Sequence, residues 1–305
     1  MSRQLPFHTM DVFTTQPFGG NPLAIVEDAD GLTTAQMQII AREFNLSETL
    51  FVQSPDDPGH TAKVRIFFPT DEIPFAGHPT IGCAIHLAAK HFAGQKDFET
   101  TITLEEVAGL VPVEVLSAGG KAKARFTAPV IPEQHKGESP SEALAACALG
   151  LNERDIGFGD HKCRVFAGGP AFLYIPVASL DALGRAGVME PHWSRMIAAA
   201  NVDSAYLYTP GNDEIGYQAR MFSPTAGIPE DPATGSATAI LAAQLLASGA
   251  LGEGTNSISL LQGVEMGRRS ELGLEVDATG GEISSVRVSG SAVAISSGSI
   301  VIPQA

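Results

Sequence analysis

Two short stretches set a charged or imidazole side chain among small residues just ahead of an apolar run. They are residues 230–237, EDPATGSA, and residues 75–80, FAGHPT. A helix start carries free N–H donors and partial positive charge, and side chains without bulk let a ligand reach those donors. Gly77 and His78 in one stretch, and Thr234, Gly235 and Ser236 in the other, leave that room. The chemistry on offer is the holding of a carboxylate or phosphate. The plainer alternative is that Asp231 caps its own helix and the glycines only permit packing. On the motif alone both readings stand. Proline suits a first helical turn, which predicts helices beginning near Pro79 and Pro232.

Other residues offer less. The chain has eight histidines, and an isolated histidine is first a solvated or hydrogen-bonded structural group. His86, His91, His135, His161 and His192 read that way, and His78 stands apart only by its place in FAGHPT. Ser236 lacks His and Asp partners in any recognisable motif, so a hydrolase triad is not expected. VEDADG, around Asp28, lacks the closing glutamate of an EF-hand. AGGK, 118–121, lacks Walker spacing, and no G-x-G-x-x-G follows a strand, so neither nucleotide nor nicotinamide cofactor is expected. Cys83, Cys147 and Cys163 are widely spaced with no CxxC, which predicts no metal centre, no disulfide framework and a reduced, cytoplasmic setting. The opening MSRQLPFHTMDVF does not read as a secretory signal, and no apolar run is long enough for a membrane span. A formal charge of −15 argues against nucleic acid or an anionic membrane as partner. It leaves a small anionic metabolite open, because a local site can be positive on an acidic protein.

The elements that would position these residues come from a repeat. RIFFPTDEIP, from Arg65, lies over RMFSPTAGIP, from Arg220, with six of ten positions identical at an offset of 155. NLSETLFV, from Asn45, lies over NVDSAYLY, from Asn201, at an offset of 156, and GGNPLAIV, from Gly19, over GGPAFLYIPV, from Gly168. A period this long means two similar domains. In the first half, strands are predicted at HTMDVFTT, PLAIVED, TLFVQ, AKVRIFF, TTITLEE and LVPVEVL. A helix is predicted after Thr33, capped with Gln36 and stopped at Asn45, and another runs from near Pro79. The second half repeats this with VFAGG, AFLYIPV, a helix over 191–200, AYLYT, GYQARMF and the helix after Pro232. The helices ATGSATAILAAQLL and PTIGCAIHLAAKHF carry little bulk on any face, which suits a helix inside a curled sheet. The fold class expected is α+β. Two similar domains are related by pseudo-two-fold duplication, each a mostly antiparallel curled sheet around a central helix. The domains are placed at 1–122, with the tail 296–305 as its candidate completion, and 123–295.

These motifs resemble those of the phenazine-biosynthesis PhzF family, within the diaminopimelate-epimerase-like fold. The resemblance is carried by GGNPLAIV, NLSETLFV, FFPTDEIPFAGHPT, FSPTAGIPEDPATGSA and LQGVEMGRRS, spread over 19–270. One departure is Arg269, where the family commonly has proline. The resemblance implies an active site in the cleft between two domains and homodimers in many members. It also implies a cofactor-independent isomerase that moves a proton on a small carboxylate-bearing ring. Carried over by position, the acid/base is Glu48 of NLSET. His78, Asp231 and Ser236 hold and polarise the substrate, and Gly77, His78, Gly235 and Ser236 give backbone donors. Asn21 of GNP is a weaker candidate. Relatives that racemise with two thiols have a cysteine at each helix start, and this chain has none there. Read by itself, Glu48 fits an N-x-x-E capping box with Asn45, yet TLFV after it is β-like and the repeat puts Ser204 at the matching position. As a base at neutral pH, Glu48 should be partly desolvated with a raised pKa. The alternative class is a small-molecule-binding or interaction protein of the same fold without turnover.

Overall fold

The structure is a computed structural model and describes residues 3–212 and 214–304. The chain divides into two compact units, Met1–Thr127 with Ser289–Ala305, and Ala128–Val288. The first unit contains β1 (Gln4–Val12), β2 (Asn21–Val26), α1 (Thr34–Phe44), β3 (Glu48–Gln53), β4 (Ala62–Phe67), β5 (Glu72–Ile73), α2 (Gly77–His91), β6 (Phe98–Glu106), β7 (Gly109–Ala118) and β8 (Lys121–Thr127). The second contains β9 (Glu133–Gln134), α3 (Glu142–Leu149), β10 (Arg164–Ala167), β11 (Ala171–Pro176), α4 (Leu180–Arg185) and α5 (His192–Ala200). It continues with β12 (Ala205–Pro210), β13 (Tyr217–Ser223), β14 (Ile228–Asp231), α6 (Gly235–Ala247), β15 (Gly254–Gln262), β16 (Ser270–Thr279) and β17 (Glu282–Val301). The chain returns to the first unit within β17.

The two units share one pairing scheme. β1–β2 is antiparallel, β2–β3 parallel, β3–β4 and β4–β5 antiparallel, β4–β6 parallel and β6–β7 antiparallel. β10–β11, β11–β12, β12–β13, β13–β14, β13–β15 and β15–β16 repeat that series in order and sense. The registers agree as well. Ala24 lies opposite Thr49, and Leu173 opposite Ala205, which are the positions that the sequence repeat equates. Each unit is therefore α+β, a mostly antiparallel sheet around one central helix.

Apart from their last turns, those helices are buried on nearly every side, as their small residues allow. Ala237, Thr238, Ala239, Ile240 and Leu241 are all buried in succession on α6, and Thr80 to Ile85 on α2. On α2, a Cβ at Gly82 would meet Leu23 Cδ2 at 2.6 Å and Val12 Cγ2 at 2.8 Å, so only glycine lets the helix lie this close to β1 and β2. The other face of the first unit's sheet is covered by α1, whose Met37, Ile40 and Ala41 join Leu5, Val26, Phe51 and Phe67 in a core. In the second unit α3, α4 and α5 do this with Leu149, Leu183 and the fully buried Trp193.

Several expectations need correction. Pro232 lies outside α6, whose first residue is Gly235. β14 keeps pairing with β13 as far as Asp231, opposite Met221, so the backbone cannot begin a helix there. The helix α3 is an addition to the expected elements. Ser141 caps it by accepting from the Leu144 N–H, and Gly150 ends it in the left-handed conformation. The passages between units fall at 127/128 and 288/289, against 122/123 and 295/296, because β8 stays in the ladder with β7 through Phe126. The capping box of Thr33 and Gln36 forms, and Asn45 closes α1 at φ 50° and ψ 36°.

Candidate active site

Asn45 explains how Glu48 comes to be where it is. A left-handed residue turns the chain sharply out of α1, and Glu48 then opens β3 instead of entering a helix. N-x-x-E here is thus a helix stop followed by a strand, not a capping box. Glu48 pairs with Leu23 on the parallel strand β2, and Leu23 points at Gly82 of α2. Side chains opposite one another share a face, so Glu48 is directed to the α2 side. It is 8% exposed, and its Oε2 lies 3.3 Å from His78 Nδ1. Asn21, the buried first residue of β2, is two residues before Leu23 and shares that face.

His78 is the second residue of α2 and is 3% exposed. Burial pushes its imidazole down to about 3, against a weaker opposing contact with the Pro22 backbone. It is therefore a neutral ring at physiological pH. The N-cap of α2 is Ala76, which has no side chain able to cap. The first intrahelical bond runs from the Thr80 N–H to the Ala76 carbonyl, and Pro79 has no N–H, so Gly77 and His78 carry the donors without intrahelical partners. This is the donor pair that the sequence singles out.

Beneath that turn lies a group that reading the sequence missed. The Thr80 hydroxyl is 2.8 Å from the Ala76 carbonyl and 2.6 Å from Glu106 Oε1. One hydroxyl proton is thus shared between the Ala76 carbonyl and the buried Glu106 carboxyl. Burial pushes the Glu106 carboxyl up to about 8, with the Thr80 bond acting the other way. Alternation could have revealed it, because Ile102, Leu104 and Glu106 are the buried positions of β6 and the third is an acid.

In the second unit, Asp231, Gly235 and Ser236 share the turn from β14 into α6. Asp231 is buried, and its Oδ2 accepts from the Thr234 hydroxyl at 2.5 Å. Thr234 is the N-cap of α6 but makes no side-chain capping bond. Gln262 at the end of β15, wholly buried, ties the turn down. Its Oε1 accepts from the Thr234 N–H at 3.1 Å, and its Nε2 donates to the Asp231 carbonyl at 2.8 Å and to Thr234 Oγ1 at 3.0 Å. The first intrahelical bond of α6 is Thr238 N–H to Thr234 O, which leaves the N–H groups of Gly235, Ser236 and Ala237 without intrahelical partners. From 231 to 240 every residue is buried except Ser236. Thr234 and Gln262 are additions to the expected side chains, although Gln262 stands in LQGVEMGRRS.

Glu230, the other acid of EDPATGSA, has a structural task. Arg220 donates to it through Nε at 2.8 Å and Nη2 at 2.9 Å. Arg65 grips Glu72 in the same two-pronged way at 2.7 and 2.6 Å. The repeated arginines of RIFFPT and RMFSPT are therefore clasps holding β5 and β14. The repeat is broken at Glu48: Ser204 at the matching position donates to Ser223 Oγ at 2.7 Å. Asn201 keeps the left-handed turn before it at φ 52°.

The thiols do not enter this constellation. Burial pushes Cys83, inside α2, far above the ordinary thiol range, and Cys163 up to about 12. Arg269, the departure from the resemblance, is an exposed partner of Glu271 at 3.3 Å. No helix among the described residues is long and apolar enough to cross a membrane.

Known proteins match this chain almost end to end. The family described as phenazine biosynthesis-like protein, PhzC-PhzF, matches residues 10–298. An uncharacterized isomerase from Mesorhizobium japonicum is 42% identical over 297 residues, covering 96% of this chain and 97% of its own. The trans-2,3-dihydro-3-hydroxyanthranilate isomerase of Pseudomonas aeruginosa is 35% identical over 289 residues, with 95% and 96% covered. Among solved structures, a Bacillus anthracis phenazine biosynthesis protein of the PhzF family has a TM-score of 0.85 at 25% identity, over 98% of this chain and 100% of its own.

Proposed function

The chain belongs to the phenazine biosynthesis-like (PhzC-PhzF) family and is an isomerase, and on that premise we propose that Glu48 is its single acid/base. The substrate proposed is a small, carboxylate-bearing ring, of the class named for the Pseudomonas aeruginosa relative. The observation that carries this reading is the pairing of a buried Glu48 with His78 at 3.3 Å, in the one copy of the repeat that has an acid.

In the proposed cycle the Glu48 carboxylate removes a proton from a ring carbon. The electron pair left behind shifts into the conjugated system. The Glu48 carboxylic acid then returns the proton at a second carbon, so the net change is a moved double bond and a moved hydrogen. His78 stays neutral, so it does not compete for the proton, and its ring, 3.3 Å from Glu48 Oε2, is assigned the positioning of that carboxylate. In the first unit the substrate carboxylate is assigned to the helix-start donors Gly77 and His78 of α2. Asn21 is assigned to a polar group of the ring, and in the second unit Asp231, Gly235 and Ser236 at the start of α6 form a polar turn with N–H donors of the same kind. No step draws on a cofactor.

The test uses trans-2,3-dihydro-3-hydroxyanthranilate and related cyclic amino carboxylates in deuterated water. Wild type should isomerise its substrate with deuterium at the new C–H position. Glu48→Gln should lose about 10²–10⁴-fold in kcat while its thermal midpoint stays close to wild type. Turnover by Glu48→Gln within a few fold of wild type would end the proposal.

A further inference from the structure

Away from the residues assigned to isomerisation, three ligand-type side chains of the first unit converge on one point. His8 on β1 places Nε2 3.1 Å from Glu27 Oε1, and His86 on α2 places Nε2 2.8 Å from the same oxygen. The three ligand atoms all lie within 4.8 Å of one another. The two imidazoles are tilted by 42° with centroids 4.4 Å apart, so both present the same nitrogen to the same place. The Glu27 carboxylate is buried, and its other oxygen, Oε2, takes the ammonium of Lys90. The cluster lies in a cavity of about 440 Å³ open to solvent, which Asp28 also lines.

The fold fixes this convergence. His8 pairs with Ile25 across β1 and β2, and the Glu27 N–H to Pro6 carbonyl bond extends that ladder one step. His8 and Glu27 are therefore diagonal neighbours on one face. His86 and Lys90 are four residues apart on α2, on the face that meets that strand pair. Burial acts to raise the Glu27 carboxyl, but Lys90 and His86 outweigh it and hold it below its ordinary value. Burial holds the His86 imidazole below its ordinary value.

We propose that His8, Glu27 and His86 form a binding site for a borderline divalent transition ion of the zinc class. Two imidazoles and one carboxylate are a recurrent three-ligand set for such ions, with the fourth position left to water. The ion takes the place of the His86 hydrogen bond and the His8 contact now made to Glu27 Oε1, each histidine presenting an unprotonated Nε2 to it. Glu27 Oε2 stays with Lys90, so the ammonium becomes a partner of the ligating carboxylate rather than a rival for it. The site would clip α2 to β1 and β2. Sequence reading missed it because three ligands spaced over 79 positions form no local motif.

The test is calorimetric titration of the whole chain, first stripped with a chelator, using zinc chloride alone. Wild type should bind one equivalent with a dissociation constant at or below the micromolar range, and zinc should raise its thermal midpoint. Cobalt(II) should give the visible absorption of a four-coordinate site. His86→Asn should weaken zinc binding by about 100-fold. His8→Asn, at a half-buried position that folding tolerates, should do the same. Absence of a stoichiometric site in wild type, or binding by His8→Asn and His86→Asn as tight as that of wild type, would overturn the assignment.

Discussion

Two buried carboxyls beside α2 differ in what their surroundings ask of them. Glu48 faces an imidazole, whereas Glu106 faces a hydroxyl whose only proton is also claimed by a backbone carbonyl. Burial pushes the pKa of Glu106, under the first helical turn, up to about 8. A folded-state pKa above the unfolded one has a definite sign in the linkage. The stabilisation is complete below the ordinary carboxyl value of 4.5 and is lost as pH rises through about 8. Within that window Glu106 should cost up to about 1.4 kcal/mol of stability per pH unit. Urea unfolding between these limits should show stability falling with pH in wild type. Glu106→Gln, which is neutral throughout, should flatten that slope. An equal slope in both proteins would place the ionised form of Glu106 in the native state.

The turn between β14 and α6 is held by a side chain from β15. Gln262 satisfies the Thr234 N–H, the Asp231 carbonyl and the Thr234 hydroxyl, all within the buried interior. Gln262→Leu keeps the bulk and removes all three bonds, at roughly 1–3 kcal/mol for each buried group left unpaired. The expected loss is about 3 kcal/mol in chemical unfolding. Unchanged stability would mean that water replaces the amide. At the start of β2, Gly20 sits at φ +64°, and a Cβ there would be 2.2 Å from the Val12 carbonyl oxygen. Gly20→Ala should lose at least about 2 kcal/mol, since left-handed strain alone costs about 1–2 kcal/mol. It should also displace the neighbouring Asn21.

These elements divide sharply into what residue order displays and what it hides. The capping box at Thr33, the stop at Asn45 and the two small-residue helices are legible because each is set by local chemistry. The start of α6 lies three residues beyond Pro232, although proline signals a first turn. The local signal lost to strand pairing at Asp231 and to Gln262, both distant in sequence. Asn21, Glu48 and His78 are legible as candidates through a resemblance, and the contact between Glu48 and His78 is a product of the β2–β3 register. Glu106, Gln262 and the His8–Glu27–His86 cluster stay hidden for the same reason, as each gains meaning only from a partner on another element.

At the scale of the whole chain, a formal charge of −15 is spread over many exposed acids. Exposed ion pairs such as Arg185 with Asp181 return little, so net repulsion outweighs them. Raising sodium chloride from about 0.02 to about 0.3 M shortens the screening length enough to relieve that repulsion. The thermal midpoint should rise by a few degrees, and a fall would show that attractive pairs dominate. The duplication is legible from Arg65 and Arg220 because both copies kept the arginine–glutamate clasp while Glu48 and Ser204 parted. Neither clasp shares a residue with the groups proposed to react. Descendants of such a chain can exchange their reactive side chains while the framework stays fastened, so novelty in reaction need not wait on novelty in architecture.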